Sequence, residues 1–238
     1  MMYRDRTDAG RHLARLLREQ LPGIQGERPV VIATCCSGVP VGRAIADALD
    51  APLDVLVTRR LDAPGCGEVG IGAVACGGTR ILDSMTIRML GVSDAYIDEV
   101  TRVESEAAER QMEDVRAARE AVTVQGRTVV LTDDGSATRW RASAAVAALR
   151  GLGAARIIVA IPVASSDVRD LLAREADAVV CGVVPERCCD ASAVYADLTL
   201  PSDEAVRRML RPAPRRPVAS PFRMSGIVPR GDAPAAAP

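Results

Sequence analysis

The sequence predicts an α/β protein built on a doubly wound, mostly parallel sheet. Four short runs are almost continuously apolar, as expected of strands buried on both faces, and they lie at 29–34, 127–132, 155–161 and 177–184. Segments in which apolar residues recur at helical spacing alternate with these runs. The 238 residues are 48% hydrophobic and 26% charged, which is typical of a globular domain with a sizeable core.

Spacing, caps and turn residues justify the elements in chain order. Asp8 is predicted to cap the first helix, and Gly77-Gly78 to turn a hairpin. In the first half we expect a helix over 8–20, a strand over 29–34, a helix over 41–49, a strand over 53–58, a glycine-rich loop over 62–72 and a hairpin of residues 69–75 and 79–82. In the second half we expect a short helix from 84 to 90, a long charged helix from 93 to about 120, a strand over 127–132, helices over 139–152 and 166–174, strands over 155–161 and 177–184, and a last helix over 202–210.

Composition bounds the organisation and the partners. Residues 1–210 are expected to form one domain with a flap at about 62–120, and the Pro/Ala/Arg-rich residues 211–238 a disordered tail. The net charge of −1 and the 2% aromatic content argue against a nucleic-acid partner. No apolar run approaches the length of a membrane span and the N-terminus lacks a signal-like segment, so we expect no membrane partner and a cytoplasmic protein.

Two adjacent carboxylates, Asp133 and Asp134, directly follow the strand over 127–132. Four small residues lead from them into the next helix: Gly135, Ser136, Ala137 and Thr138. Backbone N–H groups at such a helix start bind anions, and carboxylates accept hydrogen bonds from sugar hydroxyls, so a phosphosugar or nucleotide suits both halves. We expect both carboxylates to face solvent, so that replacing them abolishes ligand binding without unfolding the protein.

This strand, acidic pair and small-residue loop resemble the signature of the type I phosphoribosyltransferases. The resemblance covers roughly the first 210 residues. It is strongest to a bacterial branch of phosphoribosyltransferase-domain proteins. Other matching positions are Tyr3, Asp5, Arg6, Ala9 and Gly10, together with residues 38–41, 51–55, 72–75 and 201–204. The resemblance implies a phosphoribosyltransferase-like domain over 1–210 with its hood at 62–120, and commonly a homodimer.

The resemblance also implies roles for these residues. The acidic pair would hold the ribose hydroxyls of phosphoribosyl pyrophosphate, and residues 135–138 its 5′-phosphate. The turn containing Ser37 and Gly38 would contact the pyrophosphate, often with Mg²⁺ present. Transfer in this family passes through an oxocarbenium-like state whose positive charge nearby carboxylates stabilise.

The phosphate loop departs from the family pattern at Arg139-Trp140-Arg141, where the family has Gly, a small residue, and Thr or Ser. Loss of the glycine removes backbone freedom where a phosphate approaches closely, so we expect phosphoribosyl pyrophosphate to bind weakly. Two interpretations stay open. Arg139 and Arg141 attract a phosphate through their guanidiniums, or they point to solvent while Trp140 packs.

Six of the seven cysteines fall where the resemblance places the site. Thiolates are ligands for Zn²⁺ and iron–sulfur clusters, so we predict that three or four of the following converge on a metal or cluster: Cys35, Cys36, Cys66, Cys188 and Cys189. Redox or sulfur-transfer thiols without a metal, and thiols of no functional consequence, are the alternatives.

Three functions from different classes follow. The first is an enzyme that transfers a phosphoribosyl or related sugar-phosphate group with the acidic pair. The second is a derived member in which a cysteine-ligated centre performs sulfur or redox chemistry on a phosphosugar or nucleotide. The third is a non-catalytic sensor of a nucleotide or of phosphoribosyl pyrophosphate. The acidic pair favours the first two functions, and the altered phosphate loop favours the second and third.

Overall fold

The structure, a computed structural model, describes residues 2–117, 119–135, 139–185 and 191–211, and for Cys66 and Glu68 the backbone alone. The helices and strands in chain order are α1 (Arg6–Gln20), β1 (Val30–Ala33), α2 (Val39–Leu49), β2 (Leu53–Val55), β3 (Thr58–Ala63), β4 (Cys66–Ala75), β5 (Arg80–Leu82), α3 (Ser84–Leu90), α4 (Asp94–Arg116), β6 (Thr128–Thr132), α5 (Arg139–Gly151), β7 (Arg156–Val163), α6 (Ser166–Glu175), β8 (Ala178–Val183) and α7 (Asp203–Leu210). No helix in the described ranges is both long and apolar enough to span a bilayer. The tail from residue 212 lies outside the described residues.

The central sheet has five parallel strands in the order β2-β1-β6-β7-β8, which confirms the predicted doubly wound class. The chain runs outward from β1 to β2, then returns to β6 on the other side of β1 and continues outward to β8. The direction of winding therefore reverses between β1 and β6. In such sheets the connections diverge at this point and leave a crevice beyond the carboxyl ends of the two strands.

Two hydrophobic cores cover the two faces of the sheet. One is formed with α1, α2 and α7 and includes Leu13, Leu17, Ile45, Leu49, Val206 and Leu210. The other is formed with α5 and α6 and includes Ala144, Ala145, Leu149 and Leu172. Every residue of β1 and β6 is buried, which explains why these strands appear as unbroken apolar runs in the sequence.

The flap differs from the prediction at its start, because residues 62–72 are not a glycine-rich loop. They belong to a three-stranded antiparallel sheet, β3-β4-β5, which packs with α3 and α4 around a small core of its own. Gly72 is required there by close contact, since a Cβ would lie 2.2 Å from the Ile81 carbonyl oxygen on the neighbouring strand. The hairpin of β4 and β5 turns at Gly77-Gly78 as predicted.

One carboxylate on β2 holds the segment by which the chain returns from the flap. Asp54 is only 1% exposed, and Arg116 at the end of α4 donates to it from Nε and Nη2 at 3.1 and 3.0 Å. The backbone N–H of Val122, on the way to β6, donates to the same side chain at 2.9 Å. The chain also enters the flap from the end of β2. Both chain connections between the flap and the central sheet are therefore fixed at the same edge of the sheet.

The first helix begins earlier than predicted. Asp5, and not Asp8, is its N-cap, since the Asp5 side chain accepts from the Asp8 backbone N–H at 2.7 Å. Helices α1 and α2 then cross in close contact at Gly10, where a Cβ would lie 2.5 Å from the Val41 carbonyl oxygen and 2.8 Å from Ala44 Cβ.

Gly10→Ala is therefore expected to destabilise the protein by about 1–3 kcal/mol despite the higher helix propensity of alanine, because α1 must move away from α2. Urea unfolding followed by circular dichroism measures the change. Gly151→Ala is the matched control, since that helical glycine has open space around it and the alanine is expected to be neutral or stabilising. Equal stability of the two variants would contradict the close packing at Gly10.

Candidate functional site

The carboxyl ends of β1 and β6 bring Thr34 and Cys35 against Asp133 and Asp134. The backbone N–H of Thr34 donates to the Thr132 carbonyl at 2.9 Å, so the two strand ends stay paired up to the crevice. Asp133 is 2% exposed and Asp134 is fully buried. The expectation that both carboxylates face solvent is therefore wrong, and the physical reason for expecting that both can be replaced without unfolding no longer holds.

Asp134 is held by a buried ion pair. Arg6 of α1 reaches its Oδ2 from Nε at 2.9 Å and from Nη2 at 2.8 Å, and Arg6 Nη1 donates to the Thr199 carbonyl at 2.9 Å. The hydroxyl of Tyr195 donates to the Asp134 backbone carbonyl at 2.9 Å. Arg6 therefore neutralises the charge of Asp134 and joins three segments that are distant in the sequence.

Asp133 is oriented by its neighbours on the two strand ends. Its Oδ1 accepts from the Gly135 backbone N–H at 2.9 Å, and its Oδ2 accepts from the Thr34 hydroxyl and from the Cys35 thiol, the latter at 3.5 Å. An ionised carboxylate has about four acceptor positions, and these donors fix its plane. Asp133 is thus held in a single orientation at the head of the 135–138 loop.

The Cys35 thiol is buried beside a negative charge. Burial raises the pKa of Cys35 to about 12, and the Asp133 carboxylate adds to the rise while Arg141 partly offsets it. The Cys35 sulfur lies 3.0 Å from the Ser37 hydroxyl. A thiol whose pKa is raised by burial forms less thiolate than a free thiol, which argues against a redox or sulfur-transfer role for Cys35.

Two predicted ligand-binding glycines are fixed by close packing, Gly38 against Asp133 and Gly135 against Val163. A Cβ on Gly38 would lie 3.2 Å from Asp133 Cα, so the turn after β1 approaches the β6 end closely. Gly135 has a φ of +89°, and a Cβ there would lie 2.5 Å from Val163 Cγ1. The remaining predicted phosphate-loop residues, Ser136, Ala137 and Thr138, lie outside the described residues.

The three residues that depart from the family pattern point in different directions. Arg139 is exposed, lies over the Trp140 ring with Cζ 3.8 Å from the centroid, and pairs with Asp83 at 3.7 Å. Trp140 packs against the core on the α5 face of the sheet. Arg141 turns into the crevice, where its Nε donates to the Thr58 hydroxyl of β3 at 3.3 Å. The solvent-facing interpretation therefore holds for Arg139, and it is wrong for Arg141.

The cysteine hypothesis is only partly addressed by the described residues. Cys36 differs from Cys35 in its surroundings, because its sulfur accepts from Gln111 Nε2 of α4 at 3.5 Å. The side chain of Cys66 and the whole of Cys188 and Cys189 lie outside the described residues, so the convergence of five cysteines stays a prediction. Within the described part of the chain, the group with the size of a metal site is Cys35, Asp133 and Asp134, whose ligand atoms lie within 4.8 Å of one another.

Arg6, Thr34 and Tyr195 were not predicted as site residues. Arg6 lies in a segment that resembles the family, directly after the helix cap Asp5. A charged residue in such a shared segment is the feature from which a role in the site could have been predicted. Thr34 ended the first predicted strand. Tyr195 carried no signal, because it reaches Asp134 from a segment without a recognisable pattern.

The fold and the site together define a doubly wound α/β protein with an acidic pair, followed by Gly135, at the point where the winding reverses. Two Mycobacterium tuberculosis proteins with the provisional name phosphoribosyl transferase, from strain H37Rv and strain CDC 1551 / Oshkosh, are each 35% identical to this chain over 214 residues, 90% of its length. The chain spans 47% of the length of these relatives. The crystal structure of TT1426 from Thermus thermophilus is similar with a TM-score of 0.73 and 34% identity, covering 88% of this chain and 98% of that one.

No family model matches the chain. The sequence relatives, the sheet and the motif after β6 nevertheless agree, and over 90% of its length the chain is similar to proteins named as phosphoribosyltransferases.

The buried ion pair gives a stability prediction. Asp134→Asn and Arg6→Met are each expected to lower the free energy of unfolding by about 3–5 kcal/mol, because each leaves the partner buried without its counter-charge. The double variant is expected to lose clearly less than the sum of the two, which urea unfolding measures as a coupling energy. The exposed pair Arg4 and Asp8 is the control, and its removal is expected to change stability little. Additive losses for Arg6 and Asp134 would contradict the pairing.

The buried thiol gives a pH prediction. The pKa of Cys35 is raised to about 12 in the fold from about 9 for a free thiol, so the unfolded chain loses this proton first as the pH rises. The stability that the protonated thiol contributes is present below about pH 9 and is lost towards about pH 12. Cys35→Ser is expected to lose less stability than the wild type between about pH 8 and pH 11 in urea unfolding, since the hydroxyl does not titrate there. Parallel pH profiles would show that the thiol is not buried in this way.

Proposed function

We propose that the protein binds a ligand with a ribose 5-phosphate group, of which phosphoribosyl pyrophosphate is the first candidate, and transfers the phosphoribosyl group. The observation that carries the proposal is the position of Asp133. It lies at the carboxyl end of β6, beside the reversal point of the sheet, and Gly135, the first residue of the predicted phosphate loop, donates its N–H to it. A carboxylate for sugar hydroxyls and a helix start for a phosphate are then adjacent.

The two carboxylates take different parts in this proposal. Asp134 is committed to Arg6 and is a positioning residue, since it fixes the end of β6 from which Asp133 projects. Asp133 is oriented by the Gly135 N–H and by the Thr34 and Cys35 side chains, and it leads directly into the loop expected to hold the phosphate. The proposal therefore narrows the sugar-binding role to Asp133.

The transfer breaks the bond between C1 of the ribose and the pyrophosphate oxygen, and the bonding electron pair leaves with pyrophosphate. A nucleophile donates a lone pair to C1 and releases its proton to solvent. Positive charge develops on the ribose ring between these events, and a fixed carboxylate at the ring lowers the free energy of that state. Asp133, oriented on both oxygens before the ligand arrives, provides such a group without reorganisation.

A non-catalytic binder is the second candidate. It is favoured by the neutralisation of Asp134 and by the extent to which both carboxylates are buried, because a carboxylate already compensated stabilises a developing cation less. Release of pyrophosphate in the presence of nucleophilic acceptors, among them free bases and amines, separates the two. If phosphoribosyl pyrophosphate binds and pyrophosphate is released with one of the acceptors, the protein is a transferase. If phosphoribosyl pyrophosphate binds and no acceptor causes release, the protein is a sensor.

Asp133→Asn tests the ligand site. The amide oxygen can still accept from Gly135 and the Thr34 hydroxyl can rotate to meet the amide nitrogen, so the fold is expected to persist while the charge is lost. The dissociation constant of phosphoribosyl pyrophosphate, measured by calorimetry, is expected to rise about 10–100-fold.

Asp177→Asn is the matched control, because Asp177 accepts from the Ile157 N–H and from Arg150 at the amino ends of β7 and β8, and its loss is expected to leave binding unchanged. Thermal unfolding confirms that both variants are folded. Thr34→Val offers a second measurement, since it keeps the charge of Asp133 but removes a hydrogen bond that orients it, and a smaller loss is expected. Undiminished binding by folded Asp133→Asn would refute the assignment.

A further inference from the structure

Arg141 occupies an unusual place for a charged side chain on the first turn of a helix. It is half-buried in the crevice, its Nε donates to Thr58 of the flap at 3.3 Å, and it lies within hydrogen-bonding reach of the Cys35 thiol. Burial lowers the pKa of the Arg141 guanidinium, but Cys35, Asp133 and Asp134 beside it together raise the pKa by more. Its charge is therefore retained inside the site, close to the acidic pair.

The charges of the described part of the site balance without an added ion. The acids there are Asp133 and Asp134, and the cations that act on them are Arg6 and Arg141. Cys35 adds no charge, because its thiol donates its proton towards Asp133 Oδ2. Two buried negative charges thus meet two guanidiniums.

This charge balance does not fit the metal ions, Mg²⁺ and Zn²⁺, that the family resemblance and the cysteines imply. Mg²⁺ prefers carboxylate oxygens, but at this pair it would lie beside two guanidiniums that already neutralise them. Zn²⁺ in a structural site takes four ligands, mostly thiolate and imidazole, whereas this group offers one sulfur and two carboxylates that already face Arg6 and Arg141. The described residues of the site therefore fit neither ion, although the cluster of Cys35, Asp133 and Asp134 has the size of a metal site.

A guanidinium supplies what a divalent ion supplies to an anionic ligand. It is permanently charged and planar, and it donates two parallel hydrogen bonds to phosphate oxygens. Arg141 stands on the first turn of the helix that follows the 135–138 loop, and Thr58 holds it from the flap side. We propose that Arg141 is the built-in cation of this site, so that the protein binds the diphosphate of its ligand without a divalent metal. This inference rests on the proposed function and specifies its ligand chemistry.

Calorimetry with phosphoribosyl pyrophosphate tests the inference on the full chain, once with excess Mg²⁺ and once with a chelator. The wild type is expected to bind with dissociation constants that agree within about 3-fold in the two buffers. Arg141→Gln is expected to weaken binding in chelator about 10–100-fold, the effect of losing a charged hydrogen-bond donor. Mg²⁺ is expected to recover part of that loss, because the variant leaves the acidic pair with one cation fewer.

Arg150→Gln is the matched control, since Arg150 lies at the far end of the same helix in an exposed pair with Asp177 and is expected to leave both constants unchanged. Arg141→Lys keeps the charge but not the two-pronged donor, and it is expected to lose less affinity than Arg141→Gln. This variant provides the comparison if Arg141→Gln does not fold.

The outcomes separate this inference from the proposed function. Binding by the wild type only with Mg²⁺ would overturn the inference and leave the proposed function standing, as would unchanged affinity in folded Arg141→Gln or Arg141→Lys. No binding in either buffer would overturn the proposed function and, with it, the inference. Metal-independent binding that weakens in the Arg141 variants and not in Arg150→Gln would support both.

Discussion

The buried pairing of Arg6 with Asp134 is the interaction on which the site depends. A carboxylate and a guanidinium removed from water each cost several kcal/mol unless each is fully satisfied. Arg6 meets this condition with three nitrogens, two on Asp134 and one on the Thr199 carbonyl. The pair therefore specifies one arrangement of α1, the β6 end and the segment before α7, and Asp133 inherits its position from that arrangement.

The central sheet could be predicted because its strands are buried on both faces. Such strands appear in the sequence as short, continuous apolar runs, which are easily recognised. The hairpin β3-β4 could not, because its first strand is polar. Arg59 on that strand pairs with Glu104 of α4, so a charged residue is covered by the flap helix and the usual alternation of a half-exposed strand is lost. The glycines of β4 then indicated a loop, although Gly72 is present because two strands approach closely.

The acidic pair and the loop after it could be predicted because they are adjacent in the sequence. Their burial could not, since the partner of Asp134 is 128 residues away. The orientation of Arg141 has a different cause. Successive residues on a helix differ by about 100° in direction, so three consecutive side chains at 139–141 necessarily diverge, and only the surrounding fold decides which one enters the crevice. Sequence adjacency predicts the members of such a site better than their directions.

The anchoring of the flap at Asp54 has a mechanical consequence. Arg116 and the Val122 N–H both hold this carboxylate on the returning side, and the outgoing connection leaves from the end of the same short strand, β2. The three attachments together hold the flap at one edge of the sheet, and flap residues also belong to the two cores of the central sheet, among them Ala73, Ala75, Ala108 and Val115. The place of Thr58, and with it the contact to Arg141, is therefore fixed by the fold of the whole domain and not by the flap alone.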